Sequence, residues 1–147
     1  MRRNACRSAL RGVTLIELLV VVIVIAILAS IAVPSYRNYM IRTQRTEAKT
    51  ALMQLQAAQE KFYLQNNAYT DQIAAAPPAG LGLLAQTEGG RYAITVALGA
   101  GAQGYTATAD PVAGGGQTDD TQCTQLSITD TGVRGSTGPG GVDTCWR

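Results

Sequence analysis

Hydrophobic and polar positions divide the chain into three regimes. Val13 to Val33 is a run of 21 residues whose only polar members are Thr14, Glu17 and Ser30. As a helix it would rise roughly 30 Å at about 1.5 Å per residue, the thickness of a bilayer's hydrocarbon core. From Ser35 to about Asn66 the apolar positions thin out and fall at helical spacing. Ile41, Ala48, Leu55 and Phe62 are seven apart, and Ala51, Leu52 and Ala58 lie on the same side. Arg37, Arg42, Arg45, Glu47, Lys49, Glu60 and Lys61 are interspersed and mostly keep to other faces. This pattern predicts an amphipathic helix, packed on one side and facing neighbours on another. Gln44 and Gln59 interrupt the stripe, which argues against a coiled coil. Pro34 sits at the junction, where it can kink a helix without ending it. Tyr36 and Tyr39 follow it, rings with polar tips suited to a water–membrane boundary.

Beyond Asn66-Asn67, residues that tolerate a left-handed helix end, the period changes. Thr70 to about Gly90, with Pro77-Pro78 and several glycines, reads as a long surface connection with a short helical turn over Asp71 to Ala76. Arg91 to Leu98 alternates, with Tyr92, Ile94, Val96 and Leu98 on one side, and predicts a half-buried strand. Tyr105 to Ala109 and Cys123 to Thr129 predict two more. Gly99 to Gly104 and Asp110 to Asp120 read as turns. The fold class is α+β: a long N-terminal helix packed on a small antiparallel sheet of three or four strands. One Phe and one Trp in the chain make that core thin. Arg134 to Gly141 reads as a segment with no core to bury itself in.

Charge adds direction. Arg2, Arg3, Arg7 and Arg11 precede the apolar run, and no Lys or Arg follows until Arg37. A short basic N-terminal side places the N-terminus in the cytoplasm and the rest outside. Glu17 is the anomaly. A carboxylate in a membrane helix costs about 3 kcal/mol near the centre and needs a partner. The run offers no cation, so the partner must come from another chain or from a new amino terminus made by cutting nearby.

Gly12-Val13-Thr14-Leu15-Ile16-Glu17, basic before and apolar after, resembles the class III signal of type IV prepilins. The resemblance implies a type IV pilin fold and removal of residues 1–12 by a prepilin peptidase. The cut falls between Gly12 and Val13, and the new amino group of Val13 is methylated. Val13 stands where the family usually has Phe or Met, and Ala26 where it commonly has Gly. Glu17 then pairs with the terminal amine of a neighbouring subunit during filament assembly. The family's helix-breaking proline corresponds to Pro34. Residues 13–34 form the membrane-spanning and later filament-core helix, 35–66 its amphipathic half, and 67–147 the globular part. The implied partners are other pilin subunits, the peptidase, the inner-membrane assembly machinery and, before assembly, the inner membrane itself. The implied setting is a single-pass precursor pool in a bacterial inner membrane, then an extracellular pilus.

Loss of residues 1–12 leaves eight basic against ten acidic side chains, a net −2, where the whole chain has +2. The basic balance belongs to the leader, and no basic stripe for direct nucleic-acid binding is indicated. Cys6 lies in the leader. Cys123 and Cys145 lie in the exported part, where a disulfide is favoured; a C-terminal disulfide-bounded loop is also common in the family. Cys145-Trp146 and Cys-x-x-Leu at Cys123 to Leu126 are most similar to PilE-type minor pilins.

Other signals are discounted. The G-x-G-x-x-G of Gly99 to Gly104 precedes a strand pattern, whereas a dinucleotide site needs a helix there. Asp110, Asp119, Asp120, Asp130 and Asp143 lack EF-hand spacing and read as solvated turn carboxylates. Histidine is absent from the chain, so no serine or cysteine has one to activate it. The expectation is a structural pilus subunit, a minor pilin serving adhesion, twitching motility or DNA uptake, with no catalytic residue, metal or cofactor. The alternatives are a type II secretion pseudopilin and a membrane-anchored extracytoplasmic binding domain that does not polymerise.

Overall fold

The structure, a computed structural model, describes residues 13–147. The leader, with Cys6 and the Gly12 side of the cut, lies outside the described residues. The elements are α1 (Leu15–Asn66), β1 (Tyr92–Leu98), β2 (Tyr105–Pro111), β3 (Gln125–Thr129), β4 (Arg134–Thr137) and α2 (Gly141–Trp146). The chain divides into two compact units, with the boundary after Asn38.

In residues 13–38, α1 is exposed on every side. The large apolar side chains from Val13 to Val33 range from 46 to 84% exposed. Thr14 caps the start: its Oγ1 accepts from the Glu17 N–H at 3.3 Å, and its carbonyl accepts from the Leu18 N–H. Thr-x-x-Glu at this place is a capping-box pattern, and an acidic first turn also complements the helix dipole. The Ser30 hydroxyl donates to the Ile27 carbonyl at 2.7 Å, so it asks nothing of its surroundings. The helix runs through Pro34, which lacks the N–H that would reach the Ser30 carbonyl.

In residues 39–147, four antiparallel strands form one sheet in the order β1-β2-β3-β4. Alternation holds at Tyr92 and Ile94, Tyr105, Ala107 and Ala109, and Leu126 and Ile128, which are buried, but fades along β1, where Val96 is partly buried and Leu98 is exposed. The buried ones share one cluster with Ala48, Leu52 and Leu55 of α1. The register sets Ala109 between Ile94 and Leu126 across the sheet. The opposite face is polar, and Thr95 and Thr108 share a 2.6 Å hydrogen bond there.

Several expectations need correction. Arg45 lies on the buried face of α1, and Asp120 is buried rather than solvated. Gln59 belongs to the packed stripe: its Nε2 donates to the Thr70 carbonyl, and its Oε1 accepts from the Thr70 N–H at 3.1 Å. Residues 71–76 form bends instead of a helical turn. The carbonyls of Gln72, Ile73 and Ala75 accept from the N–H groups of Leu81, Leu83 and Gly82, so the segment folds back on itself. That connection also feeds the core, through Ile73 and Leu81. The segment expected to have no core supplies β4, and residues 141–146 supply α2. The Trp146 indole donates to the Gly135 carbonyl at 2.8 Å, which ties α2 to β4.

Candidate functional site

Two surfaces can carry function. The first is the apolar face of residues 13–33, uncovered in a single chain. Val13 and Glu17 lie on this stretch, and Pro34 directly follows it. Glu17 is three residues beyond the Thr14 cap, in the first turn of α1.

The second is the end of the globular part held by the disulfide. Cys123, just before β3, is bridged to Cys145 in α2, 22 residues later. Both are buried. Gly140 lies against the bridge: a Cβ there would fall 3.3 Å from Cys145 Sγ and 3.4 Å from Cys123 Sγ. An ion pair anchors this end to α1. Arg45 Nε donates to Asp120 Oδ2 at 2.6 Å and a second guanidinium nitrogen to Oδ1 at 2.8 Å. Oδ1 also accepts from the backbone N–H groups of Gln122 and Cys123, at 3.1 and 3.0 Å. Gln117 Nε2 reaches Oδ2 at 3.3 Å and the Ile41 carbonyl at 3.2 Å. Burial pushes the Asp120 carboxyl up, but the Arg45 hydrogen bonds and the Cys123 N–H outweigh it and hold the group below the usual carboxylate range. Beside this cluster, burial first and the Asp120 charge second push the Tyr92 hydroxyl far above the usual phenol range.

Around the anchored end sit cations that the linear sequence separates. The Arg134 guanidinium stands 5.1 Å over the Trp146 ring, a cation–π geometry. Lys49 Nζ donates to the Arg147 carbonyl. Partial burial, then the charges of Arg45 and Arg134, hold the Lys49 ammonium below its usual value. Lys49 and Arg134 are thus neighbours. Sequence reading missed this corner because 85 positions separate the two residues; the Lys49 bond to Arg147 and the stacking of Arg134 on Trp146 bring both to the same end.

A family model described as "Type IV minor pilin ComP, DNA uptake sequence receptor" matches residues 34–127. Another, described as "Prokaryotic N-terminal methylation motif", matches residues 7–33. The chain is 38% identical over 83 residues to the type IV major pilin protein PilA of Myxococcus xanthus (strain DK1622), a match covering 54% of this chain and 38% of that protein. It is 32% identical over 91 residues to the type IV major pilin protein PilE1 of Neisseria gonorrhoeae, covering 60% and 41%. A solved structure of a type IV pilin from Shewanella oneidensis covers 64% of this chain and 89% of that chain, at 23% identity and a TM-score of 0.47. The chain therefore spans less than half the length of either curated pilin.

Proposed function

Because the chain belongs to the family of type IV minor pilins described as ComP, we propose that it is a structural, non-enzymatic subunit of a type IV pilus. The observation that carries this reading is the helix of residues 13–33, apolar all round and bare in a single chain. Each Val, Leu or Ile there loses about 1.5–3 kcal/mol by facing water rather than an apolar surrounding. The helix rests first in the inner membrane and then among like helices in a filament. A prepilin peptidase cuts between Gly12 and Val13 and the new amine is methylated, in line with the methylation-motif match. Glu17 pairs with the amine of a neighbour's Val13. An unpaired carboxylate among apolar helices is costly, so the pair fixes register. The globular part stays outside the membrane and faces outward on the filament. The test is Glu17→Ala, scored as the share of subunit in the sheared surface fraction. Membrane levels should hold while the filament share collapses; an undiminished filament share would overturn the role given to Glu17.

A second role on the same filament is favoured by the family description together with the basic corner. Lys49, Arg134 and Arg147 meet the phosphate backbone of DNA there. Trp146 is 8% exposed and its ring is occupied by Arg134, so it offers no free platform for stacking a base. Recognition through this corner is therefore mainly of phosphates, and binding weakens with salt by about one logarithmic unit of affinity per decade for each phosphate neutralised. Double substitution Lys49→Ala with Arg134→Ala should reduce both the affinity and the salt slope; an unchanged slope would remove DNA from the role of this corner.

A further inference from the structure

Among residues 39–147, the two most exposed large hydrophobic side chains are Leu64, at 83%, and Leu84, at 71%. Neither is on a loose end. Leu64 stands in the last turn of α1. Leu84 forms the lip of a groove of about 500 Å³ between α1 and the 82–88 segment. The groove is lined by Thr46, Thr50 and Leu83, with Ala51 and Leu55 toward its floor. Its rim carries the exposed carboxylate Glu88. Lys61 is also exposed, and it lies three residues before Leu64, on the same helical face. One end of the helix thus presents an apolar knob beside a positive charge. The groove presents an apolar seat beside a negative one.

Knob and groove cannot meet within one copy. Leu64 is nine residues beyond Leu55, the last lining residue on α1, about 14 Å along the axis. Between two copies they can, and a contact that joins different patches of identical subunits is heterologous. If its rotation does not close, it propagates as an open helical array. We infer that the groove formed by α1 and residues 82–88 is the seat for the end of α1 of a second copy. Leu64 fills it against Leu83 and Leu84, and Lys61 faces Glu88. The inference rests on the pilus reading and adds to it a specific contact between globular parts.

The test uses the full chain in cells that assemble filaments. Leu64→Cys and Leu84→Cys, combined in one chain, should give a ladder of multiples of the subunit mass when sheared filaments are treated with a short thiol cross-linker. Neither single variant should give the ladder. In parallel, Lys61→Glu and Glu88→Lys should each lower the subunit's share in filaments several-fold, and the combined swap should restore it. Unchanged Trp146 fluorescence in each variant confirms that the globular part is folded. Filaments that contain the subunit but yield no ladder, with no loss from either charge variant, overturn the contact and leave the pilus reading intact. Cross-linking only to a protein of different mass overturns a second copy as occupant. Absence of even the unsubstituted chain from filaments overturns both.

Discussion

Removing the Asp120 carboxylate should be the most damaging single change in the globular part. Arg45 and Asp120 are buried, with side chains 6% and 1% exposed. Asp120→Ala leaves the Arg45 guanidinium charged in an apolar setting and also orphans the N–H groups of Gln122 and Cys123. Breaking a buried pair by removing one partner costs about 3–5 kcal/mol. Against a total stability of about 5–15 kcal/mol, that is a large fraction. A domain of this size loses roughly 4 °C of Tm per kcal/mol, so the midpoint should drop by about 12–20 °C. Trp146 is the chain's one tryptophan and sits in the end that Asp120 anchors, so its fluorescence during thermal unfolding in detergent is the assay. Replacing both partners, Arg45→Met with Asp120→Leu, should recover only the part of the loss that comes from the stranded Arg45 charge, because the Gln122 and Cys123 N–H groups stay without an acceptor. A single variant within about 1 kcal/mol of the parent would refute the reasoning, as would a double variant no more stable than the single.

Other outcomes follow from the same contacts. The Asp120 carboxyl is held below its unfolded value, so its contribution is fully present above about pH 4 and fades as pH falls through the lower folded pKa. Acid unfolding of the Arg45→Met, Asp120→Leu variant should therefore show a shallower pH dependence below about pH 4 than the parent. Gln59→Leu orphans both the N–H and the carbonyl of Thr70 and should cost about 2–4 kcal/mol in denaturant unfolding. Cys123→Ser opens the 22-residue bridge and should cost about 3 kcal/mol, leaving membrane insertion unchanged in fractionation.

Periodicity made the main elements legible. The apolar run of residues 13–33, the stripe through Ala48, Leu52 and Leu55, and the alternation of Tyr92 with Ile94 are each single-residue signals repeated at the period of their element. Pairs of polar residues far apart carry no such signal. Arg45 looks like any helix-surface arginine until Asp120, 75 positions later, is folded onto it, and Gln59 looks like a break until Thr70 takes both ends of its amide. β4 has almost no apolar alternation in Arg134–Thr137. It exists because β3 offers a ladder and the Trp146 indole bonds to the Gly135 carbonyl. The Thr14 cap is legible as Thr-x-x-Glu before an apolar run, a pattern in which Glu17 serves the first turn of the helix. The 71–83 segment escaped because its order comes from backbone groups bonding across a fold-back, a pattern its Ala-rich sequence does not announce.

The most direct test of a processed, polymerising subunit is the intact mass and N-terminal sequence of the protein recovered from sheared surface filaments. The account predicts a chain that begins at Val13, carries one added methyl group and lacks two hydrogens for the Cys123–Cys145 bridge. A chain that still begins near Met1, or one found in membranes and never in filaments, would contradict it.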